Sequence, residues 1–327
     1  MLICCLISDE LRYLQKELKE STVSAFAVGT SKNLRIQWES FVMFCIYFKL
    51  CFLPASTSTL QLYAQFLSRS FISVESIKNY ISGVKTMHSI VGFSVDHINN
   101  YLLNLSLKGI SRLKPRQVKR AAPITIEILL DIYKDMDFSK PENIVYWCLF
   151  LFAFFLLARK SNLVPTSQQD IENKRFLAIK DIKYFDNYIL VHINWSKTIQ
   201  FKEREIICPL IRMKDSRICP VTAFERLMVL KIKFCNGALF TLPSGSCITY
   251  QLFQKKLRSC LNNIGLEAKQ YSSHSFRRGF TTLAFQSDIP PEHIQLLGDW
   301  KSDAYKSYLV LGWGDKMKIL NQIFEKF

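Results

Sequence analysis

Residues 177–210 read LAIKDIKYFDNYILVHINWSKTIQFKEREIICPL, and this stretch decides the fold. Its apolar side chains recur with a period near two and are rich in Ile, Val, Phe and Tyr, which suits strands and not helices. Three strands are predicted, over 177–185, 188–195 and 204–210. Asp186 and Asn187 supply the first turn, since short polar side chains hydrogen-bond their own backbone there. Strands this close along the chain pair antiparallel. A small antiparallel sheet follows.

On both sides of the sheet the period changes. Upstream, 144–158 is an apolar run that falls short of the ~20 residues a bilayer requires and ends at Arg159 and Lys160. A buried helix is the expectation. Before it, Ile126, Leu129, Leu130 and Ile132 lie on one helical face. Downstream, residues 220–327 are again mainly helical, so the sheet sits inside a helical domain.

The N-terminal part, from Ser31 to Gly92, has apolar positions every three or four residues and no strand-like alternation. It reads as a helical bundle. Its clearest helix starts at Ser73, a predicted N-cap with Glu75 in the first turn, and places Ile77, Tyr80, Ile81 and Val84 on one face. Lys78 and Lys85 lie on another face and are candidate phosphate contacts. Between the two helical regions, 108–123 reads KGISRLKPRQVKRAAP, with Lys108, Arg112, Lys114, Arg116, Lys119 and Arg120, two prolines and no acid. A basic linker is predicted, able to follow a polyanionic backbone. The expected organisation is an N-terminal extension (1–30), a helical domain (31–107), the linker (108–123) and a second domain (124–327) ending in an amphipathic tail helix.

Composition narrows the partner. The 327 residues include 43 Lys and Arg against 27 Asp and Glu, a formal charge of +16. Such a balance fits a polyanion better than a small neutral substrate, although basic proteins also sit on anionic membranes. Hydrophobic residues make up 49% of the chain, enough to bury a core in each domain, so disorder is excluded. The ten cysteines form no CxxC pair and no disulfide-like framework, which points to a reducing compartment and no metal. The apolar start, 1–7, lacks a basic leader and runs into Ser8, Asp9 and Glu10, unlike a signal peptide.

Three fragments carry chemistry. Arg159, in LLARKSN (156–162), emerges from an apolar helix, where burial of a guanidinium is costly unless it meets an anion. In SSHSFRRGF (272–280), His274 and Arg277 stand three apart and share one face if helical. In LLGDWKSDAYKSYL (296–309), a Gly turn precedes Trp300 and a helical stretch bearing Tyr305 and Tyr308. Each fragment alone is a weak signal. Cutting a phosphodiester without a metal needs cations on the non-bridging oxygens, a nucleophile that can be expelled again and an acid for the leaving oxygen.

In this order the fragments resemble the tyrosine recombinase, or phage integrase, family, whose pattern is Arg, Lys, HxxR, His or Trp, then Tyr. The wording WKSDAYKSYL and SRICPVTAFERL is most similar to recombinases of eukaryotic mobile elements. The resemblance implies a mainly α fold with a small antiparallel β-sheet in the catalytic domain, in the two-domain arrangement of a helical core-binding domain plus an integrase-like catalytic domain. It implies that Arg159 and Arg277 bind the scissile phosphate, that His274 hydrogen-bonds it and that Trp300 donates its indole N–H to it or props the nucleophile. Lys197, in WSKTIQ, would protonate the departing 5′ oxygen, and Tyr308 would attack phosphorus, giving a 3′-phosphotyrosine without cofactor or metal. Double-stranded DNA and further copies of the chain, as dimers or tetramers, are the implied partners, with no membrane, inside the cell and in the nucleus of a eukaryote.

Three departures leave alternatives open. Members often carry an acid where this chain has Asn162, which leaves the orientation of Arg159 undetermined. Lys202 rivals Lys197 as the acid. The spacing from Trp300 to Tyr308 is one residue short of the common one, so Tyr305 is a second candidate nucleophile. A copy that binds DNA without cutting it and a type IB topoisomerase are the competing functions.

Overall fold

The computed structural model describes residues 2–71, 73–96, 100–115, 120–196 and 205–308, with 314, 317, 320, 321, 324 and 325. The chain divides into two compact units, Met1–Val118 and Lys119–Phe327.

The first unit holds α1 (Leu2–Ser24), α2 (Val28–Tyr47), α3 (Thr57–Leu67), α4 (Val74–Ile90) and α5 (Tyr101–Leu113). Ser56 and Asn100 cap α3 and α5 by accepting from the backbone N–H of Thr59 and Leu103, which satisfies donors a helix leaves open. Ser73 occupies the N-cap position of α4, but its hydroxyl makes no capping bond. Phe41, Leu60, Tyr63, Ile77, Ile81 and Leu103 close the core. His88 is fully buried there, accepting from Ala55 N–H at 2.9 Å through Nε2 and donating through Nδ1 to Val84 O at 2.8 Å. Both ring nitrogens are satisfied in one neutral tautomer, a structural role.

The basic segment begins inside a helix. Leu107 and Ile110 lie on the buried face of α5, so the helix continues to Leu113 and carries Lys108 and Arg112 with it. Lys114 then donates to Ser68 O. Arg116 and Lys119 lie outside the described residues. Lys78 is exposed and ion-paired with Glu75 at 2.7 Å, while Lys85 is half-buried.

The second unit opens with α6 (Ile126–Asp135) and α7 (Pro141–Phe155), continues through short α8 (Lys160–Leu163) and α9 (Gln168–Glu172) to β1 (Ile182–Tyr184), β2 (Tyr188–Ile193) and β3 (Ile206–Ile211), and resumes with α10 (Pro220–Val229), α11 (Tyr250–Asn263), α12 (His274–Gln286) and α13 (Pro291–Leu297). The sheet is antiparallel in the order β1-β2-β3, with Ile182 opposite Val191 and Val191 opposite Cys208. The first strand is shorter than its sequence pattern. Asp181 Oδ2 accepts from Ala178 N–H and Oδ1 from Asn194 Nδ2, which holds 179–181 in a 3₁₀ turn before pairing starts.

Helix α7 is apolar around its whole circumference, as a central core helix must be. Phe150 packs on Phe253 of α11 and Phe276 of α12, and Phe152 on Phe224 of α10. Each ring so buried contributes about 1.5–3 kcal/mol. Among the described residues no helix is long and apolar enough to cross a membrane. The predicted tail helix falls mostly outside the described residues.

Candidate functional site

The end of α7 sets the first part of the site. Leu157 leaves the helix with φ +49°, a left-handed conformation unfavourable for a branched side chain, and its carbonyl accepts from Arg277 Nη1. Arg277 Nη2 donates to Gly298 O. The guanidinium carbon lies 3.7 Å from the centroid of the Trp300 ring, a cation–π contact in a desolvated setting. Arg277 is 4% exposed. Burial and the neighbouring Arg159 push its pKa down to about 9, against the opposing pull of Tyr308 and Asp299. It remains a cation at neutral pH.

Arg159 occupies the N-cap position of α8, and Asn162 fixes its backbone. The Asn162 Oδ1 accepts from Arg159 N–H at 2.9 Å, and its Nδ2 donates to Trp195 O, also at 2.9 Å. One amide therefore ties the first arginine to the strand that leads towards Lys197. A carboxylate at this position could accept but not donate, so the Asn makes one bond that an acid could not make. Arg159 Nη1 stands 4.0 Å from Asp299 Oδ2. A recess lies between them, lined by Arg159, Asn162, Ser196, Arg277, Gly298 and Asp299.

His274 begins α12, and α11 fixes that start: Gln254 accepts from Ser273 N–H and donates to Tyr271 O. The imidazole is solvent-exposed on one side. Partial desolvation and the cations Arg277, Lys160 and Arg159 hold its pKa below the ordinary imidazole range. Lys160 is itself placed by Tyr250, with Nζ 3.6 Å from the ring centroid.

Gly298 makes the Trp300 placement possible. A Cβ at 298 would stand 1.6 Å from Trp300 Cζ3, so only glycine lets the ring fold back over the turn. The indole meets Arg277 with one ring face and packs tilted against the two tyrosines, with ring centroids 6.0 Å from both Tyr305 and Tyr308 and interplanar angles of 45° and 48°. The Trp300 ring thus contacts Arg277 and both tyrosines. The expected helix after it is instead a 3₁₀ stretch, Asp303–Tyr308. Tyr305 is 3% exposed, inside a cluster with Leu157, Ala284, Ile294 and Trp300, whereas Tyr308 is half-buried at its edge. Thr282 Oγ1 donates to Tyr308 O at 3.1 Å.

Arg159, His274, Arg277, Trp300 and Tyr308 are thus brought together, while Lys197 and Lys202 lie outside the described residues. Asp299, Lys160 and Thr282 were not anticipated from sequence. No local pattern marks them, because each acts through its position in a turn or on a helix face. Among the described residues no cluster of His, Cys, Asp or Glu could hold a metal ion.

The chain resembles known proteins in part of its sequence and in its fold. Residues 190–308 match the phage integrase family, and the matched stretch ends on Tyr308. The chain is 23% identical over 324 residues to an integrase/recombinase xerD homolog of Selenomonas ruminantium, covering 96% of this chain and 89% of that protein. It is similar in fold to the XerH site-specific recombinase in a post-cleavage complex with palindromic difH, with a TM-score of 0.57, 14% identity, and coverage of 88% of this chain and 76% of that one. It is also similar to a lambda integrase (75–356) dimer bound to a COC′ core site, with a TM-score of 0.56, 15% identity, and coverage of 91% and 94%. The fold is that of the two-domain tyrosine recombinases.

Proposed function

We propose that the chain is a site-specific DNA recombinase that breaks and rejoins duplex DNA through Tyr308. The observation that carries this reading is that Arg159 and Arg277 line one recess, with His274 within electrostatic reach of both and Trp300 in contact with Arg277 and with Tyr308. Arg159 and Arg277 bind the non-bridging oxygens and stabilise the charge that grows on them as phosphorus becomes five-coordinate. His274, neutral at pH 7, hydrogen-bonds the same phosphate and takes part in moving protons. Trp300 fixes the guanidinium of Arg277 against one of its faces.

In the reaction the Tyr308 phenol gives up its proton to neutral His274 as its oxygen bonds to phosphorus, the bond to the 5′ oxygen breaks, and Lys197 gives that oxygen a proton. The product is a 3′-phosphotyrosine and a free 5′ hydroxyl. Because the bond energy is kept in the phosphotyrosine, attack by another 5′ hydroxyl reseals DNA without ATP or metal. Dimers that pair into tetramers would exchange strands, and the eukaryotic mobile-element wording puts this activity in a nucleus.

The test is a pool of random-sequence duplexes, each nicked near the random core so that cleavage releases a short piece and prevents resealing. Wild type should become trapped as a DNA adduct that survives denaturation, and the trapped duplex identifies the target. Tyr308→Phe should abolish the adduct and Tyr305→Phe should keep it. Duplex binding without any adduct would assign the chain to a non-cleaving copy.

A further inference from the structure

We infer that Arg120 and Arg278 form a strap that ties the segment between the two units to the backbone of the nucleophile, and that this strap positions Tyr308. The inference rests on the assignment of Tyr308 as nucleophile. Arg120 stands two residues beyond the end of the N-terminal unit at Val118, and its Nη1 donates to Ser307 O at 2.8 Å. That carbonyl belongs to the peptide bond that carries Tyr308. Next in sequence, Ala121 O accepts from Arg278 Nη1 at 2.8 Å. Arg278 follows Arg277 on α12, so one helix turn serves the phosphate clamp and the strap together. Thr282, one turn further along, holds Tyr308 O.

The segment itself is fastened to the same region. Ala122 N–H donates to Gln270 O at 2.7 Å and Ile124 N–H to Ser275 O at 3.0 Å. A Cβ at Gly279 would stand 1.7 Å from Ile124 O, so α12 carries glycine where the segment crosses it. Arg120 is exposed and its sequence context suggested a phosphate contact, yet one N–H of its guanidinium is engaged with the tyrosine turn. Arg278 Nε is buried without a hydrogen-bond partner. Any displacement of residues 120–124 is therefore delivered to Ser307 and, through it, to Tyr308. A nucleophile must sit close to its in-line position, and small misplacements slow attack steeply.

The experiment uses the full chain and the duplex trapped by wild type. For Arg120→Ala, the adduct should form at least about tenfold more slowly at saturating duplex, with duplex affinity and its salt dependence unchanged. Arg120→Lys, which keeps one donor, should restore part of the rate. Hydrogen exchange of the amides in 303–308 should accelerate in Arg120→Ala without DNA, a readout that does not depend on activity. If wild type forms no adduct, the recombinase reading fails while the exchange measurement still judges the strap. Unchanged exchange would overturn the strap. An unchanged rate at saturation, with weaker binding and a salt slope reduced by about one charge, would make Arg120 a phosphate contact and overturn its positioning role.

Discussion

Asp299 puts a carboxylate 4.0 Å from Arg159, in a recess that also holds Arg277. An arriving phosphodiester is repelled by that charge before it reaches the guanidinium. Asp299→Asn should therefore tighten duplex binding by about three- to tenfold, the scale of a partly solvated charge pair; anisotropy titrations that show looser binding would make Asp299 a support for Arg159. His274 predicts a proton linkage. Its lowered pKa in the free protein leaves the imidazole neutral at pH 7, and a bound phosphate opposes the cations responsible, so the pKa rises on binding and a proton is taken up. Affinity should then increase as pH falls from about 8 to about 6, and calorimetry in buffers of different ionisation heat should detect the uptake in wild type and not in His274→Gln. The types and order of the main site residues were legible from HxxR and from the turn before Trp300. Which tyrosine is the more exposed was not, because a three-residue spacing keeps both on one side of a 3₁₀ turn, and the difference comes from neighbours distant in sequence: Leu157, Ala284 and Ile294 bury Tyr305 and leave Tyr308 at the edge of the cluster.

Asn162 shows how one side chain joins two elements. Asn162→Asp keeps an acceptor for Arg159 N–H but leaves Trp195 O without its donor, and Asn162→Ala removes both bonds. The losses should be about 1 and about 2 kcal/mol respectively, measured by denaturant unfolding, with cleavage falling further than stability because the strand before Lys197 is released. Equal cleavage by wild type and Asn162→Asp would refute this coupling. The sheet and α7 could be read from sequence because a change of period and an unbroken apolar run are local signals. The first strand was overestimated, since Asp181 accepts from a backbone N–H and from Asn194 thirteen residues later and converts 179–181 into a turn. The same limit applies to α5, where Ile110 buries against the bundle and extends the helix into a segment whose composition suggests a linker.

On the proposed function, a formal charge of +16 would govern encounter with DNA at the scale of the whole chain. Each phosphate contact releases condensed counterions, so log affinity should fall linearly with log salt at about 0.9 per contact. Binding that is flat between about 50 and about 200 mM salt would remove the nucleic-acid reading. The boundary between the two units lies at Val118, beyond the end of α5, a position that depends on where that helix stops packing and that composition does not encode. Arg277 also bears on the folded state itself. Its charge is held inside the protein by two carbonyl oxygens and an indole face, a cage that favours a cation without neutralising it. The melting temperature should therefore report on whatever polyanion is in the tube: heparin should raise it by several degrees through selective binding to the native state, and Arg277→Met should show a smaller rise, the remaining cations still binding heparin.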